Sequence, residues 1–264
     1  MNKPKVIILR SAGTNCDKET AYAFEALGAE VDLVHINKLF KKEVSLLDYH
    51  LLALPGGFSY GDDVSAGKVL ANELKYKLSE DLKKFVESGR LVIGICNGFQ
   101  VLIKTGLLPG IDGVRDNRQY ATLTSNDSDK FECRWVYLKK VNNTSPFLKY
   151  VPDIINIPVA HAEGKFIPLD NSIRQKIEDE SLVAFRYTDE NGKICSYPLN
   201  PNGSINNIAG ICNRRGNVLG MMPHPERFFH NWQSESWTEG EEREFGDGYY
   251  IFKGAIDYIR EKFL

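Results

Sequence analysis

The spacing of apolar and polar positions divides the chain into two styles. In the first half, short apolar runs that end in glycine- or serine-containing turns alternate with stretches whose apolar residues recur every three or four positions. Lys5–Arg10 (KVIILR) predicts a buried strand, followed by the turn Ser11-Ala12-Gly13-Thr14-Asn15. A helix then points Ala21, Phe24 and Leu27 inward until Gly28 stops it. Glu30–His35 (EVDLVH) predicts a second strand, and Leu51–Pro55 (LLALP) a third that runs into Gly56-Gly57-Phe58-Ser59-Tyr60-Gly61-Asp62. Leu74, Leu78, Leu82 and Phe85 predict one helix ending at Gly89, and Leu91–Ile95 a fourth strand. Such alternation implies parallel pairing, right-handed crossovers and a site at the carboxyl ends of the strands. The loops after the third and fourth strands would face each other across one crevice.

After Pro109 the pattern changes. Phe131–Val141, Ile154–Val159, Val183–Tyr187, Ile208–Cys212 and Val218–Met222 are short strand candidates separated by Asn/Gly/Pro/Ser loops, with one helix near Ile173–Ile177. They read as the antiparallel half of a mixed sheet. Tyr249, Phe252, Ile256 and Ile259 share one face of a closing helix. No repeat, low-complexity tract or linker interrupts the chain, so a single α/β domain over residues 1–264 is expected.

Composition narrows the function classes. The 264 residues are 42% hydrophobic and 26% charged, with a net charge of −2 and a pI near 6.2, which gives no electrostatic case for nucleic acid or a membrane surface. The apolar run at the N-terminus breaks at Arg10, too early for a signal peptide or a span. The five cysteines (16, 96, 133, 195 and 212) are odd in number and lack C-x-x-C pairs. That argues against a disulfide framework or a zinc site, and for reduced thiols in a cytoplasmic compartment. The glycines at 61 and 67 miss the phosphate-loop spacing, and no dinucleotide fingerprint follows the first strand. No nucleotide site of standard form is expected.

Three stretches carry candidate chemistry. Gly94-Ile95-Cys96-Asn97-Gly98 is the thiol version of the G-x-S-x-G elbow, in which a strand turns sharply into a helix and projects its central residue. Bulky flanks would collide there, and the helix N-terminus would favour thiolate. On this stretch alone, a buried structural thiol reads as well as a nucleophile. Gly56-Gly57 can present backbone N–H groups to an oxyanion together with that of Asn97, or be an ordinary turn. In Pro223-His224-Pro225-Glu226 two prolines stiffen a loop that holds an imidazole and a carboxylate two residues apart, the partners a thiol nucleophile needs. Of the other histidines, His161 in Val159-Ala160-His161-Ala162-Glu163-Gly164 is the most persuasive.

Together these stretches resemble the class I, triad-type glutamine amidotransferases. PGGFSYGDD at 55–63, GICNGFQVL at 94–102, GLLPG at 106–110, PVAHAEGKF at 158–166, NPNGS at 200–204 and GNVLGMMPHPERF at 216–228 are similar to the glutaminase components of phosphoribosylformylglycinamidine synthases. Ala162 stands where glycine is expected. The resemblance implies a three-layer, flavodoxin-like α/β fold with a mixed, mostly parallel sheet and helices on both faces. It implies Cys96, His224 and Glu226 as catalytic triad, Gly57 and Asn97 as oxyanion hole, and Gln100 and His161 as glutamine-binding elements. It implies no metal or cofactor in this chain, with ATP and magnesium in a large synthetase partner subunit that accepts ammonia, and in some relatives a small bridging subunit. Two other classes stay open: an elbow-cysteine hydrolase of the ThiJ type, which usually has histidine directly after the cysteine where Asn97 stands, and a non-catalytic regulatory subunit.

Overall fold

The computed structural model describes residues 2–113, 118–141, 144–239 and 243–264. β1 (Lys5–Arg10), α1 (Asp17–Glu25), β2 (Glu30–His35), α2 (Ile36–Phe40) and β3 (Leu51–Leu54) come first. They are followed by α3 (Lys68–Lys77), α4 (Ser79–Glu87), β4 (Leu91–Ile95) and α5 (Asn97–Thr105). The second half contributes β5 (Ala121–Thr124), β6 (Glu132–Lys140), β7 (Ile154–His161), β8 (Lys165–Pro168) and α6 (Asn171–Asp179). β9 (Val183–Thr188), β10 (Ile208–Cys212), β11 (Val218–Met221) and α7 (Tyr249–Phe263) complete it.

One nine-stranded sheet has the order β2-β1-β3-β4-β11-β10-β9-β6-β7. From β2 to β11 all neighbours pair in parallel; beyond β11 they alternate antiparallel. The chain steps from β1 to β2 in one direction and from β3 to β4 in the other. Right-handed crossovers therefore carry α1 and the α3–α4 pair to opposite faces. α1 packs against α7, where the Phe24 and Phe252 rings meet edge to face at 5.0 Å between centroids. α3 packs against α5, closely enough that a Cβ on Gly67 would lie 2.9 Å from Val101. The strand order reverses between β1 and β3, and the crevice at their carboxyl ends is where such sheets place ligands.

Three expectations change in detail. The helix through Leu74 and Phe85 is two helices, because Leu78 leaves helical geometry at φ −126°, ψ 14°. The charges fit a break there: Lys75 and Lys77 end α3 while Glu80 and Asp81 open α4, each sign placed to favour a helix terminus. Val218–Met221 belongs to both halves, since β11 runs parallel to β4 and antiparallel to β10. Finally, β5 and β8 form a separate two-stranded sheet that sequence periodicity did not suggest.

Candidate active site

β4 delivers Cys96 with φ 51° and ψ −106°, a backbone conformation that L side chains rarely adopt. The flanking glycines make the turn fit. A Cβ on Gly94 would lie 2.6 Å from the carbonyl oxygen of Gly98, and one on Gly98 would overlap the carbonyl of Leu54 at the end of β3. The Cys96 amide donates to Met221 O of β11 at 2.8 Å, which fixes the strained residue to its neighbouring strand. Its Sγ lies 3.6 Å from the Ala160 carbonyl of β7. α5 starts at once, so its N-terminal dipole end lies beside the thiol.

β7 also positions the histidine. The His224 amide donates to Pro158 O at 2.9 Å, two residues from the carbonyl that touches Cys96. His224 and Glu226 are buried, and Nδ1 of the imidazole lies 2.6 Å from Oε1 of the carboxylate. A carboxylate can only accept, so Nδ1 carries the proton and Nε2 is the nitrogen left free of Glu226. Burial alone would depress the His224 pKa, but the Glu226 and Cys96 charges outweigh it and hold it well above the usual imidazole range. Nε2 has no hydrogen-bond partner among the described residues.

The glycine turn after β3 closes the other side. Gly57 has φ 136°, and a Cβ there would lie 2.7 Å from Asn15 N in the loop after β1. A bridge between Thr14 and Gly57 joins the two loops. Among the described residues neither the Gly57 nor the Asn97 amide has a protein acceptor. The Asn97 side chain accepts from Ser59 N at 3.2 Å and donates to Asp62 Oδ1 at 2.9 Å, tying the loop after β3 to the elbow. Burial and nearby Glu163 raise the Asp62 pKa, against the donors Gly67 N and Asn97.

Gln100 and His161 lie on one seam beside the elbow. Gln100 accepts from Asn97 Nδ2 at 3.0 Å and donates to Glu163 O at 2.5 Å, so its amide already braces the segment after β7. His161 is the last residue of β7, where a turn was expected, and is buried. Asn126 Oδ1 takes its Nδ1 proton at 3.2 Å, because Asn126 Nδ2 is committed to the carbonyls of Lys130 and His161. Burial, then the charge of His224, pushes its pKa down to about 4, so the ring is neutral and Nε2 is a buried acceptor without a partner among the described residues.

Two further residues were missed. Cys16, which read as one of the structural thiols, is the N-cap residue of α1 and reaches the His224–Glu226 pair: its Sγ, a His224 ring nitrogen and a Glu226 oxygen lie within 4.8 Å of one another. Its position in a glycine-containing turn after the first strand was a signal for that edge of the sheet. Tyr187, fully buried on β9, lies near enough to Cys96 that the thiol's charge adds to burial in raising the phenol pKa. Its oxygen accepts from Asn202 Nδ2 at 3.2 Å. Asn202 in turn belongs to the NPNGS loop, where Ser204 Oγ donates to Asn202 Oδ1 at 2.7 Å and accepts from Phe166 N at 2.9 Å. That loop thus buttresses the stretch after His161, a role its wording alone did not reveal.

A strained thiol on a strand-to-helix turn, with a buried imidazole–carboxylate pair at the same end of a parallel sheet, fits the glutamine amidotransferase class. The family model for the CobB/CobQ-like glutamine amidotransferase domain matches residues 3–259. Phosphoribosylformylglycinamidine synthase subunit PurQ of Dehalococcoides mccartyi is 48% identical over 264 residues, covering 99% of this chain and 100% of that relative. The PurQ subunit of Archaeoglobus fulgidus is 42% identical over 269 residues, covering 97% of each. A chain of the PurLQS structure from Thermotoga maritima superposes with a TM-score of 0.73 at 35% identity, covering 98% of this chain and 100% of that one. A glutamine amidotransferase structure from the same organism, 18% identical with a TM-score of 0.52, shares the fold alone. The chain belongs to the PurQ family of glutamine amidotransferases.

Proposed function

We propose that this chain hydrolyses glutamine to glutamate and ammonia, and passes the ammonia to a large synthetase subunit of phosphoribosylformylglycinamidine synthase. That partner would use ATP and magnesium to convert formylglycinamide ribonucleotide to formylglycinamidine ribonucleotide in purine biosynthesis. The observation that carries the reading is the Cys96 elbow beside the buried His224–Glu226 pair. The PurQ relatives and the PurLQS neighbour supply the partner. The sequence resemblance adds the small bridging subunit that some relatives have. Unpaired cysteines favour the cytoplasm, and the sheet joining both halves favours one domain over residues 1–264. Among the described residues no helix is long and apolar enough to cross a membrane.

In the proposed mechanism the Cys96 thiolate attacks the side-chain amide carbon of glutamine. Negative charge develops on the carbonyl oxygen, where the Gly57 and Asn97 amides stabilise it. His224 gives its proton to the departing nitrogen, the C–N bond breaks, and ammonia leaves a γ-glutamyl thioester on Cys96. Water then attacks the thioester carbon while His224 takes its proton, and glutamate leaves as the thiolate returns. Glu226 holds the Nδ1 proton and offsets the imidazolium charge throughout. His161, through its unpartnered Nε2, and Gln100, through its remaining amide hydrogen, are the proposed glutamine contacts.

The test is Cys96→Ala in the complex with the synthetase. Glutamine-dependent synthesis is expected to vanish while synthesis from added ammonia persists. Loss of both in an intact complex overturns ammonia donation by this chain.

A further inference from the structure

The mechanism leaves Cys16 without a task, although its thiol stands at the triad. The side chain is buried, with Sγ 3.2 Å from Asn15 Oδ1 and 3.1 Å from Arg227 Nη2. Its sulfur, one His224 nitrogen and one Glu226 oxygen lie within 4.8 Å of one another, a soft, a borderline and a hard donor around one point. Tetrahedral zinc with these ligand types places donor atoms roughly 3.3–3.8 Å apart, a rearrangement well within the span seen here.

Two independent features favour occupancy. Glu226 Oε2 is buried and has no hydrogen-bond partner among the described residues, so coordination would satisfy an orphaned carboxylate lone pair. Gly56 lets the donors stand together: a Cβ there would lie 2.7 Å from His224 Cε1 and 3.1 Å from Cys16 Sγ, and would push them apart. The Arg227 guanidinium opposes a dication, but Glu19, 2.9 Å from Arg227 Nε, partly neutralises it.

We propose that Cys16, His224 and Glu226 form an inhibitory site for a thiophilic divalent cation of the zinc type. Binding releases the Cys16 thiol proton and the Nδ1 proton of the His224 imidazolium, and forms metal–sulfur, metal–nitrogen and metal–oxygen bonds. The imidazole keeps its Nε2 proton but, no longer an imidazolium, is too weak an acid to give it to the departing nitrogen, and the His224–Glu226 hydrogen bond is gone. Chemistry stops with glutamine or without it. Cation binding stands independently of the glutaminase reading; its inhibitory effect rests on that reading.

Zinc is titrated into the full chain carrying Cys96→Ala, with a chromophoric chelator as competitor, and cobalt is used as a spectroscopic probe. The expected result is one equivalent bound and a sulfur-to-cobalt charge-transfer band, both retained without the nucleophile. Cys16→Ser, checked for folding by circular dichroism, is expected to weaken binding by about tenfold or more and to lose the band. In the wild-type complex, zinc is expected to inhibit glutamate release reversibly with chelator. Binding that persists in Cys16→Ser but disappears in Cys96→Ala overturns the site, as does failure of Cys96→Ala to bind. If Cys16→Ser does not fold, the cobalt band in Cys96→Ala decides the matter, since no other buried thiol lies in the cluster. Stoichiometric binding with undiminished glutaminase activity overturns the inhibitory role.

Discussion

Nδ1 of His224 and Oε1 of Glu226 share a 2.6 Å hydrogen bond although both side chains are sealed from solvent. The two prolines around His224 fix the backbone that makes so short a reach repeatable. Glu226→Gln leaves the shape nearly unchanged but removes the charge that stabilises the imidazolium. Glutamate release by the complex is expected to fall by about 10²–10⁴ in kcat with a small change in KM. Synthesis from added ammonia should be unaffected. An undiminished kcat would remove Glu226 from the proposed mechanism.

Gly98 is set by contact rather than by its own backbone angle, since a methyl group would overlap the Leu54 carbonyl. Neither party can move easily: Leu54 is the last residue of a buried central strand, and Gly98 lies in the first turn of a buried helix. Gly98→Ala is expected to destabilise the chain by about 1–3 kcal/mol and to displace the elbow. A lowered melting temperature together with lost glutaminase activity checks this. Wild-type activity at full stability would mean that α5 tolerates a shift away from β3.

What could be read in the sequence follows from range. β1, β2, β4 and β10 have the expected boundaries because each is a continuous or alternating apolar run bounded by turn residues. The elbow was legible because Gly94, Cys96 and Gly98 meet their steric requirement within five residues. Cys16 and Tyr187 were not, since their nearness to His224 or Cys96 comes from strands that pair only after the sheet assembles. β5 and β8 span four residues each, too few for a period to register. His161 was singled out for its setting, but its burial and neutral ring depend on Asn126, thirty-five positions away.

His161 makes the fold sensitive to acid. An unfolded-chain histidine titrates near 6.5, whereas burial and the charge of His224 push the native value down to about 4. Below pH 6.5 the unfolded chain therefore binds a proton that the native state refuses. The stabilising contribution is complete above that pH and is lost as pH falls toward 4. Between pH 7 and pH 5 the loss amounts to about 2 kcal/mol. Urea unfolding at both pH values should show His161→Asn losing less stability than wild type by about that amount. Equal losses in the two proteins would mean that the ring titrates normally in the native state.

Tyr187 is held by an amide that cannot turn around. Asn202 Oδ1 accepts from Ser204 N at 3.0 Å and from Ser204 Oγ at 2.7 Å, so Nδ2 must face the phenol oxygen at 3.2 Å. Tyr187→Phe removes that acceptor inside a fully buried pocket and strands the amide hydrogen, at a cost of about 1–3 kcal/mol. The effect should be local as well as global. Amide exchange is expected to quicken at 202–204 and along 161–166, because Ser204 Oγ also accepts from Phe166 N at 2.9 Å. If stability falls without faster exchange in the 161–166 segment, the loop does not brace the stretch after His161, and the loss comes from packing around the ring.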